Sequence, residues 1–258
     1  MDTLIGPHRV HPRTPHEVRP PRWLRRCFRI DGRPRRGMLA RNSVAIVQEL
    51  HGSTTSASTI TVTLPSSFTL GNLILAWEGS DSGALTAPTV NGVNMTQVTN
   101  GVATTIGGAR GSWYYRVAQS GDGAAVVGAW SGSSGGLEVY ELAGADIPIG
   151  VASQTSGTGF ALATQSIISS ANGIVFAGFF QNGLPGASRA YTSSVFPDDI
   201  GTNIRLQCAH LAGTGGALGT TLTTTNSNSK TSAIIDVPAA ITARPLVADG
   251  AAQRASRW

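Results

Sequence analysis

The chain is poor in charge and poorer still in lysine. Asp, Glu, Lys and Arg make up 13% of its 258 residues, and Lys230 is the sole lysine. Low charge with a near-neutral mean hydropathy excludes a highly charged disordered polymer as a description of the whole. Cysteine is scarce too. Cys27 and Cys208 lie far apart in unlike contexts, so they make no disulfide framework and leave the redox compartment unread. Cys208, inside an apolar run, reads as a small buried hydrophobe. No stretch approaches the roughly 18 apolar residues of a membrane-spanning helix. Nor does the basic N-terminus lead into the roughly 7–15-residue apolar segment of a secretory signal. No helical stripe persists beyond two turns.

What is present divides sharply near residue 42. Residues 1–41 hold eleven arginines against Asp2, Glu17 and Asp31, a net charge of +8, while the rest of the chain is −3. The basic isoelectric point therefore belongs to the tail and says nothing about nucleic-acid binding by the body. Six prolines between Pro7 and Pro34, with self-repelling charge, oppose helix, sheet and collapse, so residues 1–42 are expected to be a disordered tail. Three readings of it stand. It is an arm that binds nucleic acid or another anionic surface by counterion release, or an inert tail, or an upstream extension of a chain whose translation starts at Met38. His8, His11 and His16 within it read as solvated rather than as a metal cluster. Residues 243–258 form a short C-terminal tail.

Between 43 and 242 the chain reads as short apolar runs bounded by turn formers. Strands are expected at 43–49, 59–64, 72–77, 112–118, 124–130, 136–142, 160–168, 173–181, 203–211, 217–224 and 231–237, filled with β-branched and aromatic residues. Several alternate with a period of two, which predicts one buried face. Trp113, Tyr115 and Val117 oppose Tyr114 and Arg116, and Ile204, Leu206 and Cys208 oppose Arg205 and Gln207. Asn91-Gly92 between Val90 and Val93 is a two-residue hairpin signal. Gly121-Asp122-Gly123 and Asn182-Gly183 with Pro185 mark further turns. The same phrasing occurs twice. Strands 59–64, 72–77, 112–130 and 136–142 are echoed by 160–168, 173–181, 203–224 and 231–237, at an offset of about 95 residues, too long for a solenoid repeat. The predicted fold is all-β, an antiparallel two-sheet jelly-roll-like sandwich.

The run PSSFTLGNLILAWEGSDSG from Pro65 to Gly83, then SWYYRVAQSGDGAAVVGAWSG, GLEVYELAGADIPIG and later SIISSANGIVFAGFF, resembles a jelly-roll β-sandwich domain family. Its members occur in phage virion proteins, often tail-associated, and in bacterial surface or secreted proteins. The resemblance spans roughly 43–240 and rests on strand-and-turn phrasing. It implies a sandwich used for structure or attachment and carries over no active-site residue. Arg116 stands where a lysine is expected after the paired tyrosines, which keeps a long cationic side chain.

The inventory for catalysis is thin. Outside the tail only His51 and His210 remain, and there is no nucleophile elbow, zinc-protease helix, P-loop or dinucleotide fingerprint. Gly107-Gly108 and Gly215-Gly216 precede no helix pattern and read as loops. Paired carboxylates for glycoside cleavage would come from Glu78, Asp81, Glu138, Glu141, Asp146, Asp198 and Asp199. Of these, Glu138 is expected to face solvent, and Glu141 shares parity with the apolar residues of its strand. Asp198 and Asp199 after Pro197 are weak calcium candidates that supply too few ligands alone. Trp77, Trp113 and Tyr115 read as core, whereas Trp130 at a strand end and Tyr191 in a polar loop read as platforms for a sugar ring. The sequence thus predicts a non-enzymatic module without cofactor, in a virion or at a cell surface. Its expected partners are other virion or surface proteins, itself, or a glycan. A secreted carbohydrate-binding module is the alternative, and a glycan-degrading enzyme a third reading.

Overall fold

The computed structural model describes residues 40–41, 43–81, 83–104, 108–148, 154–157, 165–181, 198–199, 205–220 and 229–242. Residues 1–39 and 42 of the expected disordered tail, the C-terminal tail, Tyr191 and the Asn182-Gly183 turn lie outside the described residues, whereas Ala40 and Arg41, expected within that tail, form a paired strand. All described residues fall in one compact unit, and among them there is no helix.

The first half carries β2 (Ala45–Thr54), β3 (Thr59–Thr63), β4 (Leu73–Ser80), β5 (Leu85–Val90), β6 (Val93–Asn94), β7 (Thr96–Thr104), β8 (Arg110–Val117), β9 (Ala125–Trp130) and β10 (Gly135–Ala143). The second carries β11 (Gln154–Gly157), β12 (Gln165–Ile168), β13 (Ile174–Gln181), β14 (Asp198–Asp199), β15 (Arg205–Ala212), β16 (Ala217–Thr220) and β17 (Lys230–Val237). A short pair, β1 (Ala40–Arg41) with β18 (Ile241–Thr242), joins the two ends of the body. Every pairing is antiparallel.

Two five-stranded sheets form the centre, with orders β2-β10-β4-β8-β7 and β11-β17-β13-β15-β14. Leu75, Trp77, Trp113, Tyr140 and Leu142 of the first meet Phe176, Phe180, Leu206, Cys208 and Ile235 of the second in the largest core. The sandwich expected from alternation is therefore present, and each inner sheet is also backed. A four-stranded outer sheet, β3-β9-β5-β6, closes a second core of Val62, Ile74, Tyr114, Val126, Leu137 and Val139 over the first inner sheet. The pair β12-β16 places Ile167 and Leu218 against Val175, Phe179 and Ile234 of the second. Both faces of the central strands β4, β10, β13 and β17 are thus buried. The same backing corrects the expectation of one wet face on 112–118: Tyr114 is as deeply buried as Trp113, because it fills the second core.

The echo in the sequence is a repeat of topology. Leu73 lies between Val117 and Leu142 in the first sheet, and Ile174 lies between Ala212 and Val237 in the second. At the other strand end, Ser80 lies between Arg110 and Gly135, and Gln181 between Arg205 and Lys230. Even the turn into the central strand repeats. Asn72 N–H donates to Thr69 O, and Gly173 N–H donates to Ser170 O. Positive φ falls on Gly71 (85°) and on Asn172 (64°), residue types that tolerate the left-handed region. A buried carboxylate accepts the N–H that opens each turn: Glu141 from Thr69, and Asp236 from Ser170.

The two halves meet where equivalent positions complement each other in size. Trp77 and Gly178 correspond in register, and a Cβ added at Gly178 would lie 2.3 Å from the Trp77 ring. Gly79 and Phe180 correspond likewise, with the large residue now in the second half, and a Cβ at Gly79 would sit 2.3 Å from the phenyl ring. Trp77 donates its indole N–H to Phe179 O at 3.2 Å, and Trp113 donates to Ala233 O at 2.9 Å. Both indoles, expected as core, bridge the sheets. The expected Asn91-Gly92 hairpin is also there, with Val90 opposite Val93 and φ of 50° and 75° at the two turn residues.

Candidate functional site

The buried polar side chains fall into groups that the layers keep apart. The first lies between the inner sheet and its outer sheet. Glu78, on β4, is fully buried, and its Oε1 accepts the Ala129 N–H at 2.8 Å. Its Oε2 is buried without a hydrogen-bond partner. Burial drives the Glu78 pKa up to about 9, against the weaker pull of the Ala129 N–H. Tyr114, on the same face of β8, is raised to about 12, first by burial and then by the negative charge Glu78 would carry. Ser112 and Gln97 hydrogen-bond the Tyr114 phenol, and Gln97 Nε2 donates to Ser112 Oγ at 3.0 Å. At neutral pH both acids hold their protons. Glu78 is thus a neutral carboxyl in a closed layer, which no ligand reaches unless the outer sheet moves.

Trp130 closes the same layer. It is 3% exposed, and a Cβ at Gly135 would lie 2.4 Å from its ring. The expectation that Trp130 offers an open face to a sugar is therefore corrected. β9 ends there, but residues 126, 128 and 130 all turn toward the inner sheet, so the indole is covered by β10 rather than by solvent. Its Nε1 is buried without a hydrogen-bond partner.

The second group lies between the two inner sheets. Glu138 is 2% exposed, not solvent-facing as expected. Its face of β10 is the one that also carries Tyr140 and Leu142 into the main core. The Tyr140 hydroxyl donates to Glu138 Oε1. The His210 ring packs edge-on to Tyr140 at 6.3 Å between centroids and tilted to Phe176 at 5.9 Å.

The remaining acids hold turns and loops. Glu141 accepts from Thr69 N (2.8 Å), Asn72 Nδ2 (2.6 Å) and Gln48 Nε2 (2.5 Å). Burial alone would raise its pKa, but these donors outweigh burial and hold it below the usual carboxylate value. Asp122 accepts from Gln119 N at 2.8 Å and pairs with Arg116 at 3.2 Å, closing the Gly121-Asp122-Gly123 turn. Here too burial opposes the shift, and the Gln119 and Arg116 contacts win, so the pKa is lowered. The cation expected after the paired tyrosines is the partner of a turn aspartate. Asp81 accepts from Ser134 N, and Asp146 from Ile147 N.

These placements decide which acids meet. Trp77 is opposite Glu138 in register and Leu137 is opposite Glu78, so Glu78 and Glu138 leave opposite faces of one sheet. Glu78 and Glu141 share a face, but four register steps separate them, roughly 13 Å along the strand, with Val139 and Ala76 between. Neither pair flanks a common substrate site. Asp198 and Asp199 form the edge strand β14, opposite Cys208 and Gln207. Among the described residues no three metal-ligating side chains cluster. Cys208, expected as a buried hydrophobe, lies buried in the main core. No described helix is long and apolar enough to cross a membrane.

Sequence reasoning missed Glu78, Glu138 and Lys230 as buried polar groups. Lys230, the sole lysine, is fully buried on β17, where burial lowers its pKa. The available signal was the echo itself: if 72–77 and 136–142 are inner strands of a doubled sandwich, both of their faces are covered. No protein-family model, curated protein or solved structure matches this chain.

Proposed function

We propose that this chain is a non-enzymatic structural or attachment module of a phage particle or a bacterial surface. The observation that carries the reading is where the reactive side chains sit. Glu78, Glu138, Glu141, Trp77, Trp113 and Trp130 are all buried and close layers or turns. What the described body offers outward is its edge strands, turns and Ser/Thr-rich outer strands, which suits contact with other macromolecules better than chemistry on a small substrate. The partners are other virion or surface proteins, or further copies of the chain; any nucleic-acid contact belongs to the arginine tail.

Labelled full-length protein mixed with particles or cells is expected to sediment with one of them, and to retain a β-rich circular dichroism spectrum. A well-folded preparation that sediments with neither overturns the reading. Of the two platforms expected for a carbohydrate-binding module, Trp130 is buried, which leaves Tyr191. Glycan-array binding that disappears in Tyr191→Ala would replace attachment to proteins by attachment to sugar. New reducing ends in a polysaccharide digest would replace both with catalysis.

A further inference from the structure

We infer that the outer edge of β2 is a pairing surface for β2 of a second copy of this chain, joining two first inner sheets into one continuous antiparallel sheet about a two-fold axis at Leu50. The inference deepens the assembly reading above by naming surface and partner, and it rests on that reading only for its biological use.

β2 is ten residues long; among the described residues it pairs with β10 alone and no strand lies on its other side. An edge of this length presents a row of backbone donors and acceptors that another strand can use. Sheets normally protect such edges with lysine, proline or inward charge. The segment AIVQELHGST contains no lysine, arginine or proline, and the only lysine of the chain is buried elsewhere. Its protective features are a bulge, where the register with β10 shifts past Val47, and the polar pair Glu49 and His51, which stand opposite Tyr140 and Glu138 on the main-core face and complement each other only when a second β2 pairs in this register. From Gln48 to Thr54 the strand is regular. The other described edges are shorter or interrupted. β3 has five residues, β6 and β14 two each and β11 four, while β7 shifts register between Gln97 and Val102.

The sequence of the regular part complements itself when run antiparallel. Centred on Leu50, the pairing sets Leu50 against Leu50 of the other copy, Glu49 against His51, and Gln48 against Gly52. Side chains directly opposite in an antiparallel pair lie about 5 Å apart, so each of these pairs touches. Leu50 is 39% exposed on the face that closes the second core, beside Val139. Two such residues meeting across the axis extend that core from one copy into the next. On the other face both Glu49 and His51 are exposed, and the two-fold forms their acid–imidazole pair twice. The bulge at Val47 falls outside the five central pairs.

The test is the mass of the full-length chain in solution by light scattering and sedimentation, with circular dichroism to confirm folding. A reversible dimer is expected. Leu50→Lys sets two ammonium groups against each other at the axis, and His51→Glu sets Glu against Glu twice. Each should weaken the dimer by about tenfold or more while leaving the spectrum unchanged. Adding Glu49→Lys to His51→Glu restores opposite charges and should restore the dimer, a rescue that a merely structural role of either residue does not produce. A wild-type chain that is monomeric at every accessible concentration overturns the inference, as does a dimer indifferent to both single substitutions. The two readings fail separately. A monomer that still sediments with particles removes the pairing and leaves the attachment module, whereas a β2-dependent dimer that binds neither particles nor cells does the reverse.

Discussion

Glu78 shows how a single ionisable group reports on the layer that encloses it. Unfolded, it loses its proton near pH 4.5; folded, it holds it to about pH 9. Between those values the native state binds a proton that the unfolded chain has released, so rising pH favours unfolding. Glu78→Gln keeps the shape and cannot ionise. The variant should match the parent near pH 4.5 and gain on it by up to about 1.4 kcal/mol for each pH unit above that. Urea melts of both proteins at pH 5, 7 and 9 measure the trend, and a difference independent of pH would mean that Glu78 is ionised in the fold. Glu141 behaves in the opposite sense, because its donors hold its pKa below 4.5 in spite of burial. It stabilises the fold above pH 4.5, and that contribution is lost as the pH falls through the lowered value. Glu141→Ala strands the Thr69 N–H and the Gln48 and Asn72 amides, and should cost about 3 kcal/mol at pH 7 and less in acid. Equal losses at pH 7 and pH 3 would disprove the carboxylate's part in holding the turn.

At the scale of strands, the interlock between halves depends on small residues facing large ones. Gly178 lies under the Trp77 ring so closely that even a methyl group must displace it. Gly178→Ala should cost about 1–3 kcal/mol, and Trp77→Phe, which removes part of the obstructing ring, should recover some of that loss in the double variant. Denaturant midpoints around this cycle measure the coupling; strict additivity would mean that the two positions do not share one space. The same strands show what could be read in advance. All eleven expected strands overlap observed ones, because apolar runs of strand length between turn formers are short-range features. β5 escaped notice because Pro88 interrupts it; the structure absorbs the proline at a register shift between Thr86 and Thr89. β7 escaped because TQVTNGVAT reads as polar with an Asn-Gly turn, and it too is irregular in register. Alternation predicts wet faces for Glu138 and Tyr114 because period two describes a sheet covered on one side, and their strands are covered on both. Trp130 reads as a rim residue because sequence shows its position along the strand and not the layer beneath it.

Across the whole molecule, the largest core belongs to neither half. Leu75, Trp113 and Tyr140 come from the first half, and Phe176, Leu206 and Ile235 from the second. Separated, each half would leave the central face of its five-stranded sheet open to water, an exposed apolar area that a single domain of this size does not tolerate. The repeat of topology is therefore not a pair of independent domains, and the two halves should unfold together. Calorimetry of the full chain is expected to give one transition whose calorimetric and van't Hoff enthalpies agree. Trp113→Ala, in the first half, removes the ring that tilts against Trp77 at 5.1 Å and packs edge-on to Phe176 at 5.9 Å, together with the hydrogen bond to Ala233 O. It should lower stability by about 3–5 kcal/mol. Amide exchange in β17, on the far side of the interface, should accelerate by the same factor as exchange in β4, since both report one global opening. Two resolved transitions, or protection in β17 that survives Trp113→Ala while β4 loses it, would show that each half carries its own stability and that the shared core only glues them.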